Sequence, residues 1–123
     1  MTVSFSVQTE SREQAVPITD SVQSHLNECE INSGVHVWVP HTTAGIAVNE
    51  SADPNVMDDV IPWDNDYTHI EENAASHIKS MLTDCHQWIP VQDNKLELGR
   101  WQGLFLLEWD GPRTRNIQLY GDA

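Results

Sequence analysis

Apolar and polar residues alternate in the first segment of this chain, where Val3, Phe5 and Val7 are separated by serines. This period-two pattern is typical of a strand with one buried face. Short runs of β-branched and other apolar residues, each bounded by turn residues, predict further strands. The strands predicted before the midpoint of the chain span residues 3–7, 16–18, 35–39 and 45–48.

Three other segments have the residue spacing of helices. The first begins at Asp20, which together with Gln23 has the order of a capping box, and it ends before Gly34. The second is short and begins at Pro54, with Asp53 as its N-cap. The third runs from about residue 72 to about residue 84, and its apolar stripe is expected to face the core. That stripe consists of Ala74, Ile78, Met81, Leu82 and Cys85.

The last third of the chain has the pattern of hairpins. The segments IPV and KLEL flank the turn Gln92-Asp93-Asn94, and residues 101–109 are expected to pair with residues 115–120 across Asp110-Gly111-Pro112. Strands dominate and helices interrupt them, which favours an α+β fold with mostly antiparallel strands. Because the chain has 123 residues and 39% apolar content, we expect a single domain over residues 1–123.

The charge of the chain limits its partners. Six Lys and Arg against 19 Asp and Glu give a formal net charge of −13, which repels nucleic acid and anionic lipid. No apolar run is long enough for a membrane span and residues 1–10 lack the order of a secretory signal, so we expect a cytoplasmic protein. An anionic substrate needs a local basic pocket, for which Arg100, Arg113 and Arg115 are the candidates.

Three histidines stand out because each lies in a short polar segment: His41 in HTTAG, His69 in YTHIEEN and His77 in ASHIKS. Neutral imidazoles that converge on one point are a common ligand set for Zn²⁺ or another divalent ion. Imidazoles equally polarise a phosphate or transfer a proton, because they titrate near neutral pH. The spacing leaves these alternatives open, since only the fold brings the three segments together.

Several separate motifs resemble those of the YjbQ family, which is also called the secondary thiamine-phosphate synthase family. The motifs are HTTAGIAVNESADPNVMDD, HIEENAASHIKS, LGRWQGLFLLEWDGPR and the closing RNIQL, and the similarity runs from about Val3 to Tyr120. The resemblance implies a two-layer β-sandwich that carries two or three helices and associates as a homotrimer. Five tryptophans agree with such an assembly, because aromatic residues are enriched at the centres of subunit interfaces.

Two positions depart from the family pattern. Asp84 stands where a glycine usually follows the long helix, and Arg100 stands where a small polar residue usually precedes Trp101. The first departure concerns the turn after the helix, and the second adds either a phosphate contact or a side chain in solvent.

The reaction that the resemblance implies joins a pyrimidine pyrophosphate to a thiazole phosphate and gives thiamine phosphate and pyrophosphate. We expect this activity to be weak or secondary, because the chain has no evident acidic cluster for Mg²⁺. The residues expected to take part form three overlapping groups. The catalytic group is His41, Glu50, His77 and Arg113; the substrate-binding group is Thr42, Asn49, Asn73, Lys79 and Arg113; the metal group is His41, His69 and His77.

Other interpretations of the same residues stay open. The histidines fit a metal-dependent hydrolase of a small phosphorylated metabolite, with Zn²⁺ as the expected ion and Mg²⁺ as the second choice. A trimeric binding protein without catalysis is a third class, and no organic cofactor is evident. Glu50 fits helix capping as well as catalysis, and Arg113 fits a brace on Asp110. Lys79 fits a solvated position on its helix.

Overall fold

The computed structural model describes residues 2–61 and 74–122, whose strands form two antiparallel sheets. His69, Asn73 and the predicted start of the third helix lie outside the described residues. The larger sheet contains, in spatial order, β1 (Thr2–Gln8), β8 (Thr114–Gly121), β3 (Gly34–Trp38), β5 (His86–Gln92) and β6 (Lys95–Leu96). The smaller sheet contains β2 (Gln14–Pro17), β7 (Gln102–Glu108) and β4 (Ala44–Glu50).

The main core lies between the two sheets. Val37 and Leu119 of the larger sheet share one hydrophobic cluster with Ile46 and Leu106 of the smaller sheet. The described residues also form three α-helices, and the first of them adds Val22 to this cluster. The helices are α1 (Thr19–His25), α2 (Pro54–Val60) and α3 (Ala74–Thr83). The predicted α+β sandwich of mostly antiparallel strands is confirmed.

Strand β7 is buried on both faces, because its continuous apolar run separates two hydrophobic clusters. Leu104 and Leu106 face the main core, whereas Phe105 and Leu107 pack in a second cluster with Met57 of α2. The predicted hairpin between β7 and β8 is wrong: β7 pairs with β2 and β4, and β8 pairs with β1 and β3. The segment after β7 carries the chain to the other sheet, and an Asp-Gly-Pro turn permits this crossing as readily as a hairpin.

The predicted start of one helix is confirmed, and the predicted start of another is wrong. Helix α2 begins as predicted, with the Asp53 side chain accepting the Asn55 N–H at 3.0 Å. Helix α1 begins at Thr19, and no side-chain hydrogen bond caps it, so the predicted capping box is wrong. Gln23 instead binds the β5–β6 hairpin, which offers its amide both an acceptor and a donor. No helix within the described residues is long and apolar enough to cross a membrane.

Helix α3 turns polar side chains toward the protein and apolar ones outward. Ser76, Lys79 and Ser80 are buried, whereas Met81 and Leu82 are 82% and 71% exposed. The predicted core stripe is therefore wrong at Met81 and Leu82. The inward residues are spaced three and four apart, so they share one helix face.

The inward polar residues of α3 are buried because each finds a partner. Ser80 Oγ donates to the Ala44 carbonyl at 2.6 Å, and Ser76 Oγ donates to the Trp109 carbonyl. Buried polar groups that are hydrogen-bonded avoid most of the cost of leaving water. The hydrogen bonds thus fix how α3 is rotated against β4, and that rotation places His77.

The C-terminal end of α3 requires an unusual backbone and a close approach. Asp84 has a φ of 66°, in the left-handed region that glycine adopts most easily. A Cβ on Gly45 of β4 would lie 2.4 Å from Thr83 Oγ1, so only glycine lets the helix end this close to the strand. A glycine, which the resemblance implies at position 84, would adopt this backbone easily, and Asp84 adopts it with a short polar side chain.

This geometry predicts a stability difference between two substitutions at one position. Asp84→Ala is expected to unfold with about 1 kcal/mol less free energy than Asp84→Gly, because alanine is strained in the left-handed region. Both variants lose the hydrogen bond from the Cys85 N–H to the Asp84 carboxylate, so their comparison isolates the backbone effect. Urea unfolding of the two variants measures the difference, and equal stabilities would contradict the left-handed conformation.

Candidate functional site

Two connections between the sheets lie side by side at one end of the sandwich. Residues 39–43 lead from β3 to β4, and residues 109–113 lead from β7 to β8. They are neighbours because β4 begins where β7 ends, with Ala44 opposite Glu108. Together they form a pocket of about 380 Å³, which we name the crossover pocket. It is lined by Pro40, His41, Thr42, Thr43, His77, Asp110, Arg113 and Arg115.

Helix α3 brings His77 to the same pocket as His41. Both histidines also line an adjoining pocket of about 320 Å³, which extends along α3 to Cys85. The described structure therefore gathers four of the predicted site residues from distant segments of the chain. These are His41, Thr42, His77 and Arg113.

A buried ion pair lies at the crossover pocket. Arg115 Nε donates to Glu108 Oε1 at 2.8 Å, its Nη2 donates to Glu108 Oε2, and the two side chains are only 3% and 0% exposed. Arg115 Nη2 also donates to Thr43 Oγ1 at 2.8 Å. Thr9 Oγ1, at the end of β1, donates to Glu108 Oε1 at 2.7 Å. The pair thus connects the ends of β7, β8 and β1 with the loop that precedes β4.

The charge state of this pair follows from its hydrogen bonds. Burial alone would raise the pKa of Glu108, but hydrogen bonds from Arg115, Thr9 and the Asp110 N–H outweigh burial and hold the pKa below its ordinary value. Glu108 is therefore ionised at neutral pH. Arg115 lines the pocket, and its Nη1 makes no hydrogen bond to any residue that the structure describes.

His41 is held at the edge of the larger sheet. Its Nε2 accepts a hydrogen bond from the backbone N–H of Asn116 at 3.1 Å. Burial, and then the nearby charges of Arg115 and Arg113, lower the pKa of His41, while Glu108 acts in the opposite direction. The imidazole is therefore neutral at neutral pH.

Arg113 both braces the second connection and contributes donors to the pocket. Its Nε donates to the Asp110 carbonyl at 2.7 Å and its Nη2 donates to the Asp110 carboxylate at 2.9 Å. The brace considered from the sequence is therefore present. These bonds use two of the five guanidinium N–H groups, and the other three have no partner among the described residues. Arg113 is half-exposed, so a ligand reaches these donors.

Two predicted site residues lie at the opposite end of β4. Asn49 and Glu50 are roughly 20 Å from the start of this strand, given the usual rise per residue. The Asn49 side chain accepts the Glu50 N–H at 2.7 Å, and the Glu50 carboxylate accepts the Ala52 N–H at 3.1 Å. Both side chains thus bind the local backbone, and within one chain neither lines the crossover pocket.

Lys79 is neither solvated nor presented to a substrate. Its side chain is 1% exposed, it pairs with Glu13, and Nζ lies 5.2 Å from the centre of the Trp109 ring. The prediction of a solvated helix position is wrong, because Glu13 before β2 provides a carboxylate where α3 packs. The predicted partners His69 and Asn73 lie outside the described residues.

The described histidines do not fit a metal site through His41 Nε2. A metal ligand must offer a free ring lone pair, and the Asn116 N–H already occupies the one on Nε2. Within residues 2–61 and 74–122, no three His, Cys, Asp or Glu side chains are placed to share an ion. His69 is outside these ranges.

Glu108 is a residue of the site that the sequence patterns did not reveal. The available signal is a single carboxylate that directly follows the doubly buried run LFLL, seven residues before an arginine. A charge in such a position needs a buried partner, because an unpaired buried carboxylate is very costly. Thr9, the other donor to Glu108, has no comparable signal in the sequence.

The fold and the pocket define a small β-sandwich protein with an arginine-lined pocket where the chain crosses between its two sheets. The chain belongs to the YjbQ family, since the family model described as UPF0047 protein YjbQ-like matches residues 3–120. The chain is similar to the UPF0047 protein MJ1081 of Methanocaldococcus jannaschii, with 42% identity over 99% of this chain and 96% of the relative. It is also similar to the UPF0047 protein YugU of Bacillus subtilis, with 40% identity over 97% of each.

Solved structures have the same fold. The hypothetical protein APE1520 of Aeropyrum pernix superposes with a TM-score of 0.84 and 34% identity, covering 99% of each chain. A YbjQ-like protein of unknown function from Sulfolobus solfataricus superposes with a TM-score of 0.83 and 30% identity, covering 97% of this chain and 94% of that one. The resemblance found from the motifs is therefore confirmed at the level of family and fold.

The buried pair predicts both a stability loss and a pH dependence. Glu108→Gln is expected to lower the free energy of unfolding by about 3–5 kcal/mol, because it leaves the Arg115 charge buried without a carboxylate. The folded-state pKa of Glu108 lies below its ordinary value, so its contribution is complete above the ordinary glutamate pKa of about 4.3 and is lost as the pH falls through the folded-state pKa. Denaturant unfolding between neutral and acidic pH measures both effects.

Two outcomes would contradict this account of the pair. One is a Glu108→Gln variant that unfolds with the wild-type free energy at neutral pH. The other is a variant whose stability falls at acidic pH as steeply as that of the wild type. The double variant Glu108→Met with Arg115→Met is a control, and it should lose less stability than the single variants Glu108→Met and Arg115→Met lose together.

Proposed function

We propose that this chain binds a small phosphorylated molecule in the crossover pocket and transfers a group as a weak thiamine-phosphate synthase-like enzyme. The observation that carries the proposal is the concentration of cationic and neutral donors in one pocket of a chain whose net charge is −13. Two of its six Lys and Arg residues, Arg113 and Arg115, line this pocket.

The donors of the pocket match a phosphate group. Arg113 has three N–H groups without a partner among the described residues, and Arg115 offers Nη1. A guanidinium binds two phosphate oxygens at once, which gives charge and geometry together. Asp110 contributes a carboxylate to the lining of the crossover pocket, and the charge of this carboxylate is paired with that of Arg113. The pocket volume of about 380 Å³ suits a small molecule and not a macromolecule.

The proposed transfer reaction would use the same hydrogen-bond donors of the crossover pocket. When a pyrimidine pyrophosphate reacts with a thiazole nitrogen, the carbon–oxygen bond to pyrophosphate breaks and the leaving group takes the electron pair. Prearranged cationic donors lower the barrier of such a step, because negative charge develops on the leaving oxygen. Arg113, Arg115 and His77 line the pocket, and in the proposed reaction they would stabilise that charge. The reaction class itself follows from the family resemblance.

A matched pair of arginine variants tests phosphate binding. Arg113→Ala is expected to weaken the binding of inorganic phosphate and thiazole phosphate by about tenfold or more, as for loss of a charged hydrogen bond. Arg100→Ala is the control, since it removes the same charge from the start of β7, roughly 20 Å from the pocket end of that strand. Isothermal titration calorimetry measures both affinities.

Thiamine phosphate formation tests the reaction. The wild type and Arg100→Ala should form it at similar rates, whereas Arg113→Ala and His77→Ala should lose most of the activity. Equal rates in all four proteins would reject the assignment of this pocket. Hydrolysis of the phosphate esters that depends on added Zn²⁺ or Mg²⁺, in place of thiamine phosphate formation, would favour the metal-dependent hydrolase.

We further propose that the chain assembles as a homotrimer. Trp88, Trp101 and Tyr120 are each more than a third exposed, and Met81 and Leu82 are more exposed still. Large exposed apolar and aromatic residues are typical of the centres of subunit interfaces. Light scattering with size exclusion should give three times the mass of 13.9 kDa, and a mass of one chain at micromolar concentration would contradict the trimer.

A further inference from the structure

We propose that His41 acts in the crossover pocket as a neutral imidazole that donates its Nδ1–H to a phosphate oxygen, with Nε2 committed to the protein backbone. The inference rests on the proposed function, because it assigns the role of one residue in that pocket. Three roles were considered from the sequence: metal ligand, polarisation of a phosphate and proton transfer. The inference selects the second for His41 and assigns the ring nitrogen and the tautomer that perform it.

Nε2 of His41 binds the backbone of β8 because strand β3 ends before it reaches Asn116. The ladder between β3 and β8 stops at the pair Trp38 and Gln118. Continuing its register by two residues would place Pro40 opposite Asn116. The chain leaves the sheet there, so the Asn116 N–H needs another acceptor, and the His41 ring supplies Nε2 at 3.1 Å.

A backbone N–H fixes the tautomer of the ring. The amide of Asn116 only donates, so the nitrogen that faces it must carry a lone pair and no proton. A neutral imidazole has one N–H group, and in His41 that group must therefore be on Nδ1. A partner that can either donate or accept, such as another imidazole, leaves the tautomer open, as between His36 and His86. A backbone N–H can only donate, so it decides the tautomer of His41.

The remaining nitrogen is available to a ligand. His41 lines both the crossover pocket and the adjoining pocket, and its Nδ1 makes no hydrogen bond to the residues that the structure describes. Burial of the ring, and then the Arg115 and Arg113 charges, lower the pKa of His41, so the ring stays neutral beside them. A neutral N–H among guanidinium groups adds a directional donor without adding charge repulsion.

The same hydrogen bond disfavours the other two roles. To bind a metal through Nδ1, the ring would have to move its proton to Nε2, which would then face the Asn116 N–H at 3.1 Å as a second donor. To accept a proton as a base, the ring would have to use Nε2 and break the same bond. Either role thus costs the hydrogen bond that holds His41 in place.

Two substitutions that introduce an amide side chain distinguish the roles of the two ring nitrogens of His41. In His41→Asn the amide NH₂ reaches the position of Nδ1, whereas in His41→Gln the amide reaches the position of Nε2. We expect His41→Asn to bind inorganic phosphate within about threefold of the wild type, and His41→Gln and His41→Ala to bind about tenfold more weakly. Calorimetry with phosphate, in chelator-treated buffer, measures all four proteins.

The tautomer is measured directly in the free wild-type protein. Nitrogen-15 NMR of the histidine ring should show a protonated Nδ1 and an unprotonated Nε2 for His41, with the resonance assigned by its absence in His41→Asn. A protonated Nε2 would overturn the inference. So would a His41→Asn variant that binds phosphate as weakly as His41→Ala.

The proposed function and this inference fail in different ways. If the wild type does not bind phosphate, the proposed function fails. Phosphate is then also rejected as the group that accepts the hydrogen bond from His41 Nδ1, whichever tautomer the ring has. If the wild type binds phosphate while Nε2 carries the proton, the proposed function stands and the role of His41 is rejected. A zinc titration in which His41→Asn and His41→Ala lose binding equally would also overturn it in favour of a metal ligand.

Discussion

The buried contact between Glu108 and Arg115 is the interaction on which this end of the molecule depends. Each charge is removed from water, and each is stable only because the other is present with further hydrogen-bond partners. The pair joins the last residue of β7 to β8, and Thr9 and Thr43 extend it to two more segments. It therefore fixes the relative position of the two connections that build the crossover pocket.

The same interaction explains how an acidic protein keeps two arginines in one pocket. Glu108 pairs with Arg115, and Asp110 pairs with Arg113, so the pocket keeps its donors without an excess of buried charge. The residues that carry the unused donors all line one volume of small-molecule size. Binding of a phosphorylated molecule there requires no rearrangement of the charges, and such preorganisation lowers the cost of binding and of charge development.

Helix α3 links the pocket to the outer surface of the sandwich. Its polar face is held against β4 by hydrogen bonds, and this orientation both places His77 in the pocket and leaves Met81 and Leu82 exposed. Met81 also lines the adjoining pocket, so the surface proposed for assembly lies next to the proposed binding site. The rotation of one helix thus decides the position of a site residue and the character of a neighbouring surface.

The sequence by itself determined the strands and the start of α2, because alternation, turn residues and capping act over a few neighbouring residues. Its separate motifs identified the family. They also selected His41, His77 and Arg113 as candidate site residues, and the fold brings these three to one pocket. Only the tertiary structure decided which strands pair, as β7 and β8 show, since a turn motif does not state which sheet the next strand joins. It likewise decided that Lys79 is buried and that Glu50 lies far from His41. Partners such as Glu13 come from distant segments, and local periodicity carries no information about them.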